Sequence, residues 1–257
     1  MTNIKLVVFD MAGTIIDHGC FAPIVAFVEA FSQMGITLTE PQARGPMGLH
    51  KRDHIRELFK LPEVAQQWQA EHKRAWKEED VDYIYKAFVP LQKDVAGRYT
   101  ELIPGVTECV ATLREAGIAI ATSTGYPREV TTPVLASLRE QGLEPDCTIC
   151  ADEVRAGRPA PWMIFRSMEA TGVFPASAVV KVGDTIPDIV AARNASVFAV
   201  GVTETSNNMG LTSEQLQTLD PAERTSRRQT VEEKLQLAGA HVVIDSVASL
   251  PDVLERL

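Results

Sequence analysis

The sequence predicts an α/β protein, a Rossmann-like parallel sheet with an inserted all-helical cap. Three observations carry that prediction. Short β-branched runs alternate with helical stretches along most of the chain. Helical stretches such as "GVTECVATLREAG", "REVTTPVLASLREQG" and "APWMIFRSMEATG" end in glycine, a common helix stop. The interval from about Cys20 to Tyr99 carries helical patterning with no convincing buried strand.

In chain order, the strands expected are "KLVVFD", "IAIATS", "CTICA", "AVVKVGD", "VFAVGV" and "HVVID". Alternation with helices of this length implies crossover connections and a parallel sheet covered on both faces. The helical interval holds "PIVAFVEAFSQMG", "KRDHIRELF" and "VDYIYKAFVPLQKDVAGRY". Inserted directly after the first strand, it would form a lid over the mouth of the sheet. The domains are therefore expected at 1–19 and 100–257 for the core and 20–99 for the cap. The late segment "SNNMGLTSEQLQTLDPAERTSRRQTVEEKLQLAGA" reads as peripheral helices.

The 257 residues leave room for a core plus a smaller partner, and 45% hydrophobic with 23% charged residues is ordinary for a globular chain. A net charge of −9 argues against a nucleic-acid or anionic-membrane surface, so a small anion must find a local cationic pocket. With no apolar run of about 18 residues and no leader pattern at "MTNIKLVVFD", a cytoplasmic protein is expected. Reduced thiols are then expected at Cys20, Cys109, Cys147 and Cys150, with "CTICA" a buried strand rather than a redox or metal pair.

In sheets of this kind the ligand sits beyond the carboxyl ends of the strands. Those ends carry Asp10, then Ser123 and Thr124, then Asp152 and the loop to Arg158, then Gly183 and Asp184. Loop-starting polar residues explain any one of these, but together they match the needs of a phosphoryl and magnesium site. Magnesium takes one or two carboxylates plus phosphoryl oxygens and water. A strand-end aspartate is also suited to attack phosphorus and form an aspartyl phosphate.

"DMAGT" with Thr14, "TSTG" with Thr124, a downstream basic residue and "GDTIPD" with Asp184 and Asp188 resemble the four motifs of the haloacid dehalogenase superfamily. Within it, "DMAGTIIDHGCFAP", "RGPMGLHKRDH", "TSTGYPRE" and "AGRPAPWM" closely resemble the phosphonoacetaldehyde hydrolase family. The resemblance spans the chain. It implies Asp10 as nucleophile, Thr14 as a catalytic residue beside it, and magnesium held by Asp10, Asp184 and the carbonyl of Ala12. It assigns Thr124, Gly125 and Arg158 to the phosphoryl group, and Lys51 to a Schiff base. Without the match, Arg158 would read as a surface residue. Asp188 either orients the site from behind or is a carboxylate favoured at a helix start.

Ala12 is the informative departure from the superfamily's phosphatases, which typically carry an acid there to protonate an alkoxide leaving group. Either the enzyme is dead or the leaving group is carbon. A carbanion needs an electron sink, and a protonated imine between an aldehyde and a lysine supplies one. Lys51 follows the glycine-containing loop "GPMGLH" at the start of a cap helix. Its amine must be neutral to attack, so burial or neighbouring charge such as Arg52 is expected to depress its pKa. His54, three residues on, either handles a proton there or is structural. Met47, Gly48, Cys20 and Tyr126 line the imine by resemblance, or simply pack. Met11, where the family pattern has tryptophan, is expected to repack away from Asp10.

The expected activity is cleavage of the C–P bond of phosphonoacetaldehyde to acetaldehyde and phosphate. An O-phosphate ester phosphatase or phosphomutase of the same fold is the alternative, opposed by Ala12. The expected partners are a small phosphonate substrate and a second copy of the chain, paired through the cap by "FAPIVAFVEAF".

Overall fold

The computed structural model describes residues 3–256, so the first two residues and the last residue of the expected core lie outside it. Six strands, β1 (Leu6–Phe9), β2 (Ala119–Thr124), β3 (Cys147–Cys150), β4 (Val179–Gly183), β5 (Phe198–Val202) and β6 (Val242–Ile244), form one sheet in the order β3-β2-β1-β4-β5-β6. Every pairing is parallel. All six correspond to the β-branched runs read from the sequence.

Alternation sends successive β1 residues to opposite faces. Leu6 and Val8 join Ile164, Ile189 and Leu235 in one apolar layer, while Val7 and Phe9 join Val110, Leu113 and Val134 in the other. A sheet covered on both faces explains why its strands read as continuous apolar runs. The same geometry disposes of the Cys147/Cys150 pair, since residues three apart on a strand face opposite ways, and all four cysteines are free.

Between β1 and β2 lie α1 (Phe21–Ser32), α2 (Glu40–Arg44), α3 (Lys51–Phe59), α4 (Pro62–His72) and α5 (Glu78–Ala96), followed by α6 (Val106–Glu115). α1 packs along α5, with Phe27 stacked on Phe88 at 4.3 Å between centroids, and Phe59 lies edge-on to Trp68 at 5.0 Å. The aromatic face of α1 is therefore interior to this helical layer. Phe27 and Phe31 are fully buried, which corrects the expectation that they offer a pairing surface; Val25, 43% exposed, is the outward apolar residue.

The remaining helices are α7 (Arg128–Glu140), α8 (Trp162–Thr171), α9 (Ile186–Asn194), α10 (Ser213–Thr218), α11 (Pro221–Leu237) and α12 (Leu250–Leu254). The late segment does hold two helices, but they begin at Ser213, and residues 203–210 form a loop that turns back over the sheet. Met11 is fully buried in the larger apolar cluster. Among the described residues no helix is long and apolar enough to cross a membrane.

Candidate active site

The sheet order reverses direction at β1: β2 and β3 lie to one side and β4 to β6 to the other. A crevice opens at such a switch point beyond the strand ends. β1 and β4 are in register there, Phe9 opposite Val182, and the Asp10 N–H donates to the Val182 carbonyl at 2.8 Å. Asp10 and Asp184 thus leave adjacent strands side by side. Asp188 joins them from the first turn of α9, and carboxylate oxygens of all three lie within 4.8 Å of one another.

Cations meet these three carboxylates unequally. Asp188 is paired with Arg158 and with Lys181, whose Nζ is 2.8 Å away, and accepts from the Thr185 hydroxyl at 2.5 Å. Burial alone would raise its pKa, but the two cations outweigh burial and hold it below the usual carboxylate range. Arg158 also donates to Asp10 Oδ1 at 2.9 Å. Among the described residues Asp184 has hydrogen bonds only, from the Thr14 hydroxyl at 3.3 Å and the Asn207 N–H at 2.8 Å. Burial, and then the charges of Asp10 and Asp188, push it well above its ordinary value. A buried carboxylate without a cation beside two others fits a divalent metal, which would take hard oxygen donors of this kind.

The cap supplies the facing wall. Lys51 begins α3 and is only 3% exposed, with its Nζ 3.6 Å from Met47 Sδ and above the rings of Phe27 and Tyr126 at 5.4 and 5.5 Å. Burial lowers its pKa to about 8, and Arg158 opposite adds to the depression. The positive end of α3 acts in the same direction. Arg52 does not, contrary to the sequence expectation. Adjacent residues on a helix point apart, and Arg52 pairs outward with Asp82 at 2.6 Å and Glu78 at 3.0 Å.

His54 is buried behind Lys51 rather than in the cavity, stacked on Phe27 at 3.9 Å. Its Nε2 lies 2.9 Å from the Ala43 carbonyl, so Nε2 carries the proton and Nδ1 is left without a partner. Burial, reinforced by the Lys51 charge, holds the ring neutral, well below its ordinary pKa.

Between the walls lies a cavity of ≈ 20 Å³, room for about one water. Of the sequence-predicted residues, Asp10, Ala12, Cys20, Met47, Gly48, Lys51, Thr124, Gly125, Tyr126 and Arg158 line it. Thr14, Asp184 and Asp188 stand directly behind, and Asp152 is elsewhere, accepting from the Arg128 N–H. Burial raises the Cys20 thiol and the Tyr126 hydroxyl well above their usual pKa values, so both are protonated. The Thr124 hydroxyl accepts from the Tyr126 N–H at 3.1 Å, leaving its own proton free to donate. The walls approach closely at glycines. A Cβ on Gly48, at φ +93°, would strike the Thr185 hydroxyl, and one on Gly125 would come 3.1 Å from the Leu49 carbonyl.

Sequence reasoning missed Lys181, Thr185, Asn207 and Asp17. A lysine within the apolar run "AVVKVGD" was a signal, since a buried ammonium requires a partner. Asp17 accepts from the Phe21 and Ala22 N–H groups at the start of α1, and burial raises its pKa to about 7. Asn207 meets Asp184 through its backbone N–H, which leaves no side-chain signature.

A parallel sheet with a strand-end aspartate, a buried carboxylate cluster and a helical cover defines a haloacid dehalogenase-like hydrolase, and residues 4–196 match that family. The phosphonoacetaldehyde hydrolase of Paraburkholderia phytofirmans is 42% identical over 99% of this chain and 95% of its own. That of Bacillus cereus strain ZK is 39% identical over 99% and 97%. A crystal structure of a phosphonoacetaldehyde hydrolase-like protein from Oleispira antarctica superposes with a TM-score of 0.98 at 38% identity, covering 99% and 92% of the two chains. The chain belongs to the phosphonoacetaldehyde hydrolase family of the haloacid dehalogenase-like hydrolases.

Proposed function

We propose that this protein hydrolyses phosphonoacetaldehyde to acetaldehyde and phosphate, using Lys51 as electron sink and Asp10 as nucleophile. The observation that carries this is a dry lysine with its pKa lowered to about 8 across one small cavity from Asp10, with Ala12 where an acid would serve an oxygen leaving group. The names of the relatives support the same substrate.

The neutral Lys51 amine adds to the aldehyde, and the carbinolamine takes up one proton from solvent and expels water, leaving a protonated imine. An Asp10 carboxylate oxygen attacks phosphorus while the C–P bond breaks, and its electron pair flows into the iminium to give an enamine. Protonation at carbon and hydrolysis release acetaldehyde from Lys51, and a second water splits the aspartyl phosphate. Arg158, Thr124 and the Gly125 backbone hold phosphoryl oxygens. Asp10, Asp184 and the Ala12 carbonyl would hold magnesium, which when bound supplies positive charge toward the phosphoryl oxygens. Thr14 steadies Asp184, and the cation-paired Asp188 fixes Arg158. Because Nε2 of His54 is committed to Ala43, any proton it handles for Lys51 passes through Nδ1.

Residues 20–99 act as a cap that must open for substrate, since the cavity holds about one water. A homodimer would use the outward side of this cap at Val25, and four free thiols suit a cytoplasmic setting.

The test is release of acetaldehyde and phosphate in equal amounts from phosphonoacetaldehyde with magnesium. Faster turnover of sugar phosphates than of the phosphonate would replace this reading with a phosphatase.

A further inference from the structure

Loop 203–210 reaches from the end of β5 to the carboxylate cluster. Its Asn207 N–H donates to Asp184 Oδ2 at 2.8 Å, and its Thr205 hydroxyl donates to the Gly13 carbonyl at 2.6 Å. The far side of the loop is held by a residue of the helical layer, Arg44 at the end of α2. Arg44 Nη1 donates to Asn207 Oδ1 at 3.2 Å, to the Asn207 carbonyl at 3.3 Å and to the Gly19 carbonyl at 2.6 Å. Asn207 Nδ2 returns a bond to the Arg44 carbonyl at 3.2 Å. The guanidinium lies over the Phe21 ring at 4.7 Å and is held from behind by Glu40 at 2.8 Å. The side chain of Arg44 is 12% exposed, and Gly210, at φ +62°, lets the loop close on it: a Cβ there would stand 3.2 Å from Nε.

We propose that Arg44 and Asn207 form a latch through which closure of the cap sets the position of Asp184. Arg44 is a positioning residue: it touches neither the cavity nor Asp10, Asp184 or Asp188, but grips the side chain and carbonyl of the residue whose amide holds Asp184. When the cap lifts, the reciprocal bonds of Arg44 and Asn207 break together and the Asn207 amide loses its support. Metal affinity and cap closure are then linked, each favouring the other. The proposal rests on the reading of Asp184 as a metal ligand.

The test measures Mn²⁺ binding by the loss of the free-ion EPR signal, in full-length protein without substrate, so it does not depend on C–P cleavage. Arg44→Ala should weaken Mn²⁺ binding about tenfold, the scale seen when partners of metal ligands are removed. Asn207→Ala, which keeps the amide N–H but loses the side-chain half of the latch, should weaken it equally. The double variant should be no worse than either, because the two residues act as one unit. Arg44→Lys should recover little, since an ammonium cannot reproduce the fork. Wild-type Mn²⁺ affinity in either folded single variant, or losses that multiply in the double, would overturn the latch. Should Arg44→Ala fail to fold, Asn207→Ala decides alone. Asp184→Ala separates the underlying reading: unchanged Mn²⁺ binding there would remove Asp184 from the metal site itself.

Discussion

The two walls of the cavity solve opposite electrostatic problems. On the sheet side, Asp10, Asp184, Asp188, Arg158 and Lys181 are buried together, with Arg158 paired to Asp10 and Asp188 and Lys181 paired to Asp188. On the cap side, Lys51 sits among Met47, Phe27 and Tyr126 with no carboxylate of the described residues in an ion pair with it, and burial strips it toward the neutral amine. A phosphoryl group needs fixed charge and dipoles around it; an imine needs a lysine that can give up its proton. Under the proposed mechanism, the contrast assigns the phosphoryl chemistry to the charged wall and the imine chemistry to the apolar wall that covers it.

The largest expected effects would break the contrast by removing one wall at a time. Asp10→Asn should abolish phosphate release, yet acetaldehyde with borohydride should still reduce an imine onto Lys51, detected as added mass on the peptide containing it. Lys51→Arg should abolish C–P cleavage and the label while magnesium binding persists, since arginine keeps charge but cannot form the imine. Label on Lys181 instead, or an active Lys51→Arg enzyme, would show that the cap wall is only a cover.

Next in size is selectivity. With Ala12 where an acid would protonate an alkoxide, simple phosphate monoesters should turn over about 10²–10⁴-fold more slowly than the phosphonate. Equal kcat/KM on both would mean that the charged wall suffices and the apolar wall adds nothing. His54 probes the boundary between the two. His54→Gln can keep a bond to the Ala43 carbonyl through its amide but has no basic Nδ1. Imine formation, followed by borohydride trapping with acetaldehyde, should then slow about 10²-fold, at the low end for general acid–base loss. An unaffected rate would make His54 a packing residue against Phe27.

The strand-end residues of the charged wall were more legible in the sequence than the cations that pair with them. Strand-end position is a strong constraint, so Asp10, Thr124 and Asp184 followed from six β-branched runs and a rule about sheet ends. Lys51 followed from the resemblance and from the chemistry that Ala12 implies. Contacts made through the fold rather than along the chain were not legible. Arg52 looked like the neighbour of Lys51, but helix geometry turns it outward, and Arg158, more than a hundred residues away, takes its place. Asn207 looked like the start of a peripheral helix because its amide, not its side chain, faces Asp184. The aromatic stripe of α1 suggested a pairing surface because sequence cannot say which of two apolar partners a helix face meets, α5 or another chain.

The smallest effect is also the most direct reading of how the walls communicate. If Lys51 titrates near 8, its neutral fraction falls about tenfold per pH unit below that value and levels off above it. Borohydride trapping with acetaldehyde, run without any phosphonate, should therefore rise about tenfold per unit from pH 6 to 7 and flatten past about 8. An ordinary lysine would keep rising to beyond pH 10. The depression comes first from burial and then from the Arg158 cation facing it, so charge placed on the opposite wall must move the plateau. A phosphate dianion beside Arg158 favours the ammonium and should shift the plateau to higher pH; a divalent cation at Asp10 and Asp184 favours the neutral amine and should shift it lower. A profile that flattens near 8 but ignores both ions would assign the depression to burial alone and uncouple the two walls. A profile that never flattens below pH 10 would mean that Lys51 is hydrated when the aldehyde arrives, and that the cap does not dry the site.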